Sequence, residues 1–191
     1  MASAFGHALA AGALGAPLRP SWRVLALGVT CAIIPDADVI AFAFGIPYEH
    51  PLGHRGVTHS IAFAVAVGSL VWAVARLWRQ RRPNTTSRQR PLALGLYAAA
   101  ATLSHAALDA LTTGGEGVGF LIPFTAERFF FPVRPIAVSP LGVEAFFSEW
   151  GLRVLAGEAV WIGLPSIAFI AAVGFWRRGR ERRRVVGVGG T

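Results

Sequence analysis

Residues 91–113, PLALGLYAAAATLSHAALDALTT, decide the fold class. As a helix they would extend about 34 Å at 1.5 Å per residue, enough to cross the hydrocarbon core of a bilayer. The stretch has no Arg, Lys or Glu, and only His105 and Asp109 ionise near neutral pH or below. Two other stretches share this character: His59–Trp78 lacks charge until Arg76, and Val154–Trp176 contains only Glu158. Each predicts a membrane span. Ahead of them, Ser3–Ala16 is a short apolar segment containing His7. Trp22–Ile34 is also apolar, is interrupted by Pro35-Asp36-Ala37-Asp38, and resumes over Val39–Ile46. This pattern predicts a short first helix and a second helix broken near Pro35, both tolerable where their polar ends line a protein-enclosed cavity. The expected architecture is an all-α, polytopic integral membrane bundle of about four to five helices, a single membrane domain over residues 1–191.

Composition agrees. Of the residues, 54% are hydrophobic and 15% charged, with a mean hydropathy of +0.53. Soluble domains have about 45–50% apolar and about 25% charged residues, so the excess points to lipid as the solvent. Cys31 is the only cysteine, which excludes an intrachain disulfide and a cysteine-based zinc knuckle. The first residues lack the positive region of a cleavable signal peptide, so the start reads as mature protein.

The net charge of +8 comes entirely from arginines. The 79–90 stretch and the 177–191 tail are strongly basic, and the positive-inside rule places both in the cytoplasm. Threading the chain accordingly puts 14 arginines and one acid, Glu181, inside, with four arginines and nine acids outside. The 114–153 segment becomes an outer-side loop. Topology and anionic lipid then account for the basic residues, and binding of nucleic acid is not expected.

In that threading all five histidines and all three aspartates fall on the outer side. His105 lies about 21 Å above Pro91, Asp36 about 21 Å above Trp22, and His59 at the start of its helix. Four segments thus bring imidazoles and carboxylates to one layer, where ionisable groups are costly and usually functional. His105 and Asp109 are i and i+4 on one helical face, able to offer two ligands, or a ligand and its orienting partner, to a metal. Asp36 and Asp38 at a helix interruption can converge on a cation. His54-Arg55-Gly56-Val57-Thr58-His59-Ser60 sets two imidazoles across a turn that opens a helix, where backbone N–H groups and the Thr58 or Ser60 hydroxyl could hold an anion.

Other features read differently. His50, between Pro47 and Pro51, belongs to a solvated loop, and Glu158, one turn into the last helix, suits a snorkelling or helix-dipole role as well as a catalytic one. Gly114, Gly115, Gly117 and Gly119 make no phosphate loop, because no Gly-Lys-Ser/Thr follows. They supply a flexible turn.

These residues together resemble the YdjM-like family of inner-membrane metal-dependent hydrolases, also described as LexA-binding inner-membrane-associated hydrolases. The resemblance rests on Gly6-His7, Pro35-Asp36-Ala37-Asp38, the heptapeptide from His54 to Ser60, and Ser104-His105 with Asp109. It continues through Leu111–Gly115, Pro123-Phe124, Glu127–Pro132 and Val138–Pro140. It implies a hydrolase of the bacterial inner membrane with a His/Asp metal centre. No motif for LexA contact is visible, so that property is not carried over.

The expected centre holds a divalent ion on His7, Asp36, His59, His105 and Asp109, with Asp38, His54 and Arg55 as catalytic groups. Donors of nitrogen and carboxylate without thiolate suit zinc, with manganese or iron as alternatives. With Asp38 and His54 included, seven donors exceed one tetrahedral site, so two ions share them or some act as support and general base. Metal-activated water would attack an ester or phosphoester. Arg55, Thr58, Ser60 and Arg128 would hold the substrate, a membrane lipid or lipid-like phosphoester being suited to arginine's paired donors. Two competing readings are an ion- or proton-coupled transporter and a non-catalytic membrane protein with a structural metal. Transport would need polar residues along the whole crossing, and the cytoplasmic half of each span is apolar.

Overall fold

The computed structural model describes residues 1–81, 89–140 and 143–188. Arg82 through Arg88 of the basic 79–90 stretch, and residues 189–191 of the tail, lie outside the described residues. Among the described residues four helical lengths are long and apolar enough to cross a membrane: Trp22–Phe44, Ile61–Arg81, Pro91–Ala110 and Glu149–Glu181. The helices are α1 (Ala4–Gly15), α2 (Trp22–Ile33), α3 (Ile61–Arg81), α4 (Pro91–Ala110), α5 (Val143–Phe146), α6 (Glu149–Glu158) and α7 (Leu164–Val188). Only isolated bridges, such as Val118 with Phe129, represent β-structure among them. The chain is an all-helical membrane bundle.

Three spans differ in detail from the sequence expectation. The second helix changes type at Pro35 without leaving the helical path: Ile34–Phe44 continues as a 3₁₀ helix with Pro35 at its start, where proline's missing N–H costs nothing. His59 does not open the next span. It closes a 3₁₀ turn, Val57–His59, and α3 starts at Ile61 behind Ser60, whose Oγ accepts Phe63 N–H. The last span begins at Glu149, before the expected Val154, and α6 passes into α7 through a π-helical turn, Ala159–Gly163. The first helix is short, as its 12 residues require.

Small residues bring the helices together. Ala11, Cys31, Ala32, Ala98 and Ala101 form one buried cluster joining α1, α2 and α4. Where α3 crosses α4, a Cβ on Gly95 would stand 2.7 Å from Trp72 Cβ, and one on Gly68 would stand 2.6 Å from Ala99 Cβ. In lipid there is little hydrophobic force between helices, so this close backbone approach supplies the packing. The large side chains turn outward instead: Leu96 is 62% and Phe175 82% exposed, as lipid-facing positions should be. Gly95→Leu should therefore cost about 1–3 kcal/mol of stability through overpacking. Leu96→Ala, one residue away on the lipid face, should cost little. Thermal unfolding of the two variants in detergent checks this.

Charge separates along the bundle. At one end Arg19 pairs with Glu181 at 2.7 Å, Arg177 donates to Ala16 O at 2.8 Å, and Gln89 donates to Leu18 O at 2.7 Å. These contacts tie together the segment that follows α1, the residues just ahead of α4 and the middle of α7. The histidines and aspartates gather at the opposite end.

Candidate metal centre

His105 stands one turn from the end of α4, fully buried. Its Nδ1 lies 2.6 Å from Ala32 O, a carbonyl that can only accept, so this nitrogen carries the ring proton and Nε2 carries the lone pair. His59 is fixed in the same sense. Thr58 Oγ1 gives its hydrogen to Asp38 Oδ2 at 2.6 Å, so Nδ1 of His59 donates, either to that hydroxyl at 3.0 Å or to Asp38 Oδ2 at 3.2 Å. The two Nε2 atoms then face each other at 3.0 Å, too close for a water between them. Two lone pairs at that distance require a cation, a proton or a metal.

Two carboxylate oxygens converge on the same point. Asp36 Oδ1 is 3.2 Å from His105 Nε2 and 3.8 Å from His59 Nε2. Asp109 Oδ2 is 3.6 Å from His59 Nε2 and 4.0 Å from His105 Nε2. Both oxygens are buried, Asp36 Oδ1 without a hydrogen-bond partner and Asp109 Oδ2 with only the Arg55 guanidinium in an ion pair beside it. Four tetrahedral ligands at 2.0–2.1 Å from zinc lie about 3.3 Å apart, and this set is within reach of that spacing. Asp36, His59, His105 and Asp109 thus form a group that could hold a metal ion.

A second group, Asp38, His54 and His59, shares His59 but is differently occupied. Asp38 Oδ1 pairs with His54 Nδ1 at 2.6 Å, and Oδ2 accepts from Thr58 Oγ1 and from Arg55 N at 3.1 Å. With its lone pairs spent on donors, Asp38 orients His59 and His54, as a carboxylate behind a metal-bound imidazole does. The two aspartates, expected to converge on one cation, point apart. In a 3₁₀ helix residues i and i+2 are about 120° apart around the axis, so Asp36 faces the Nε2 pair and Asp38 the Nδ1 side.

His7 stacks on His105 with ring centroids 3.8 Å apart, its Nε2 3.5 Å from Asp109 Oδ1. It stands beside the group of four, outside their shared point. Arg55 is fully buried with a φ of 60°. Its Nε meets Asp109 Oδ2 at 3.1 Å, while its two Nη atoms donate to Gly114 O and Thr112 Oγ1. The donors expected to hold an anion have protein partners. Ser60 Oγ donates to Val57 O, and Arg128 donates to the carbonyls of His54, Tyr48 and His50. Arg128 clamps the loop that carries His54, and Arg55 neutralises Asp109.

The sequence model of the YdjM inner membrane protein family matches residues 3–180. The chain belongs to this family. It is 38% identical over 165 residues to the inner membrane protein YbcI of Escherichia coli (strain K12), covering 86% of this chain and 90% of the relative. No solved structure matches. With four apolar spans among the described residues, this YdjM-family chain is a multi-pass inner-membrane protein.

Sequence reasoning missed the supporting partners of these His and Asp side chains. Ala32 O, Gly114 O and the N–H of Ala2, which donates to Asp109 Oδ1 at 2.7 Å, belong to backbone and have no residue-type signature. Glu158 did leave a signal, as the lone acid in an apolar span. It is 2% exposed, too deep for snorkelling.

The same geometry sets a pH dependence. Burial pushes the His59 proton off, but the Asp109 and Asp38 carboxylates outweigh it and raise the pKa above the ordinary 6.5. A metal must displace that proton, so affinity should fall as pH drops through the raised value. The expected slope is about tenfold per pH unit for each proton displaced. Titration of metal affinity between pH 5.5 and 8.5 (roughly the range over which imidazoles change charge) checks it, and a flat profile would contradict it.

Proposed function

We propose that this protein is a membrane-bound, metal-dependent hydrolase acting on an ester or phosphoester of a lipid-like substrate. The observation that carries the metal is the facing Nε2 pair of His59 and His105, with Asp36 Oδ1, which has no hydrogen-bond partner, and Asp109 Oδ2, ion-paired with Arg55, beside the same point. Asp36, His59, His105 and Asp109 would hold the ion, and the nitrogen–carboxylate donor set favours zinc. A divalent ion there supplies Lewis acidity, which lowers the pKa of water and polarises a carbonyl or phosphoryl oxygen.

The chain supplies the base. Asp38 holds Nδ1 of His54, which leaves Nε2 to accept a proton from attacking water. Asp36 is the most open of the four ligands, with 11% of its side chain exposed against none for the others, so substrate would enter on its side. The position of the site at one end of the bundle, remote from the arginine-rich end, fits a substrate at the membrane surface. By the positive-inside rule that surface is the outer one and the C-terminus is cytoplasmic.

Hydrolysis of phospholipid and phosphoester substrates by the detergent-purified protein tests this reading. Turnover should be abolished by chelation, restored by zinc, and reduced about 100-fold or more in His54→Ala, the range general-base loss brings. His54→Ala should keep its metal. Metal uptake without turnover of any ester would leave the ion structural and overturn the hydrolase.

A further inference from the structure

Glu158 is the only acidic group of the last span's apolar portion, and the centre described above makes no use of it. Both of its carboxylate oxygens are taken by Ser3, one by the backbone N–H and one by the hydroxyl. Ser3 Oγ in turn accepts Gly6 N–H at 3.2 Å and caps α1. One residue before Ser3, the fully buried Ala2 gives its N–H to Asp109 Oδ1 at 2.7 Å. A side chain on Gly6 would press its Cβ to 3.0 Å from the Glu158 carboxyl carbon and 2.9 Å from Ile162 Cδ1, so glycine there permits the approach. Immediately after Glu158 the helix widens into the π turn Ala159–Gly163, a feature that often marks functional positions.

Resting on the metal reading above, we infer that Glu158 is a positioning residue of the centre. Through Ser3 it fixes the Ala2 N–H that holds Asp109 Oδ1, and Oδ2 stays turned toward the Nε2 atoms of His59 and His105. A carboxylate buried at the end of α6 thereby sets the orientation of a ligand it does not touch. Partners at this remove change metal affinity by about 10–100-fold when lost.

Chelator competition with zinc, and the absorption spectrum of the cobalt-substituted protein, separate positioning from plain structural support. Glu158→Ala should weaken zinc binding by about 10–100-fold and shift the cobalt bands. Glu158→Gln, which keeps an acceptor for Ser3 N–H, should recover most of the affinity. Ser3→Ala loses the hydroxyl's bonds to Glu158 and to Gly6 N–H but keeps the backbone N–H on Glu158, and should show a smaller loss in the same direction, which keeps the inference testable if Glu158→Ala does not fold. Gln89→Ala, which cuts an anchor at the opposite end of the bundle, should lower stability and leave affinity and spectrum unchanged. Wild-type zinc affinity and cobalt spectrum in Glu158→Ala or Ser3→Ala would overturn the positioning role. Failure of the wild-type protein to take up zinc or cobalt would instead overturn the metal reading, and the positioning role with it.

Discussion

Replacing His59 with alanine is expected to weaken divalent-metal binding by more than about 100-fold, beyond what loss of an outer partner brings. His59 is the one residue common to both donor groups: its Nε2 faces His105, Asp36 and Asp109, and its Nδ1 faces Asp38. The substitution removes a ligand and at once leaves Asp38, a buried carboxylate, short of a donor. His54→Ala also takes a partner from Asp38 but leaves the four ligands in place, so its affinity should fall by no more than about tenfold, the low end of outer-partner losses. Chelator competition measures both. Equal affinities in the two variants would place the ion elsewhere.

Arg55→Ala is expected to destabilise the protein by about 3–5 kcal/mol, the cost of leaving one member of a buried ion pair uncompensated. Arg55 is fully buried, and its guanidinium spans Asp109, Gly114 O and Thr112 Oγ1. Lysine offers a single compact ammonium in place of a planar fork, so Arg55→Lys should recover only a minor part. Added zinc should recover more, because a ligand that binds only the folded state stabilises it and the ion returns positive charge to Asp109. Thermal and chemical unfolding in detergent, with and without zinc, provides the comparison. A variant as stable as wild type would show that Arg55 does not balance the charge of Asp109.

The fold was largely legible because lipid demands long uncharged helices, and residues 91–113 state that demand openly. His105 and Asp109 could be placed on one face because α-helical spacing is regular. Asp36 and Asp38 could not, since their separation depends on the switch from α to 3₁₀ geometry at Pro35, which the sequence marks only as a break. From the sequence, Arg55 is assigned to catalysis and to an anionic substrate because arginine's paired donors suit phosphate. Its burial follows from the left-handed turn it adopts and from Gly115, whose Cβ would sit 2.7 Å from Arg55 Nη1. Such long-range closure between loops 45–60 and 111–119 has no periodic signature.

Metal content of the protein purified in detergent, compared with His105→Ala and Asp109→Ala, tests the central claim most directly. Close to one divalent ion per chain in the wild type, lost in both variants, is the predicted result. Substoichiometric metal in the wild type, unchanged in the variants, would mean that a shared proton and not a metal sits between His59 and His105.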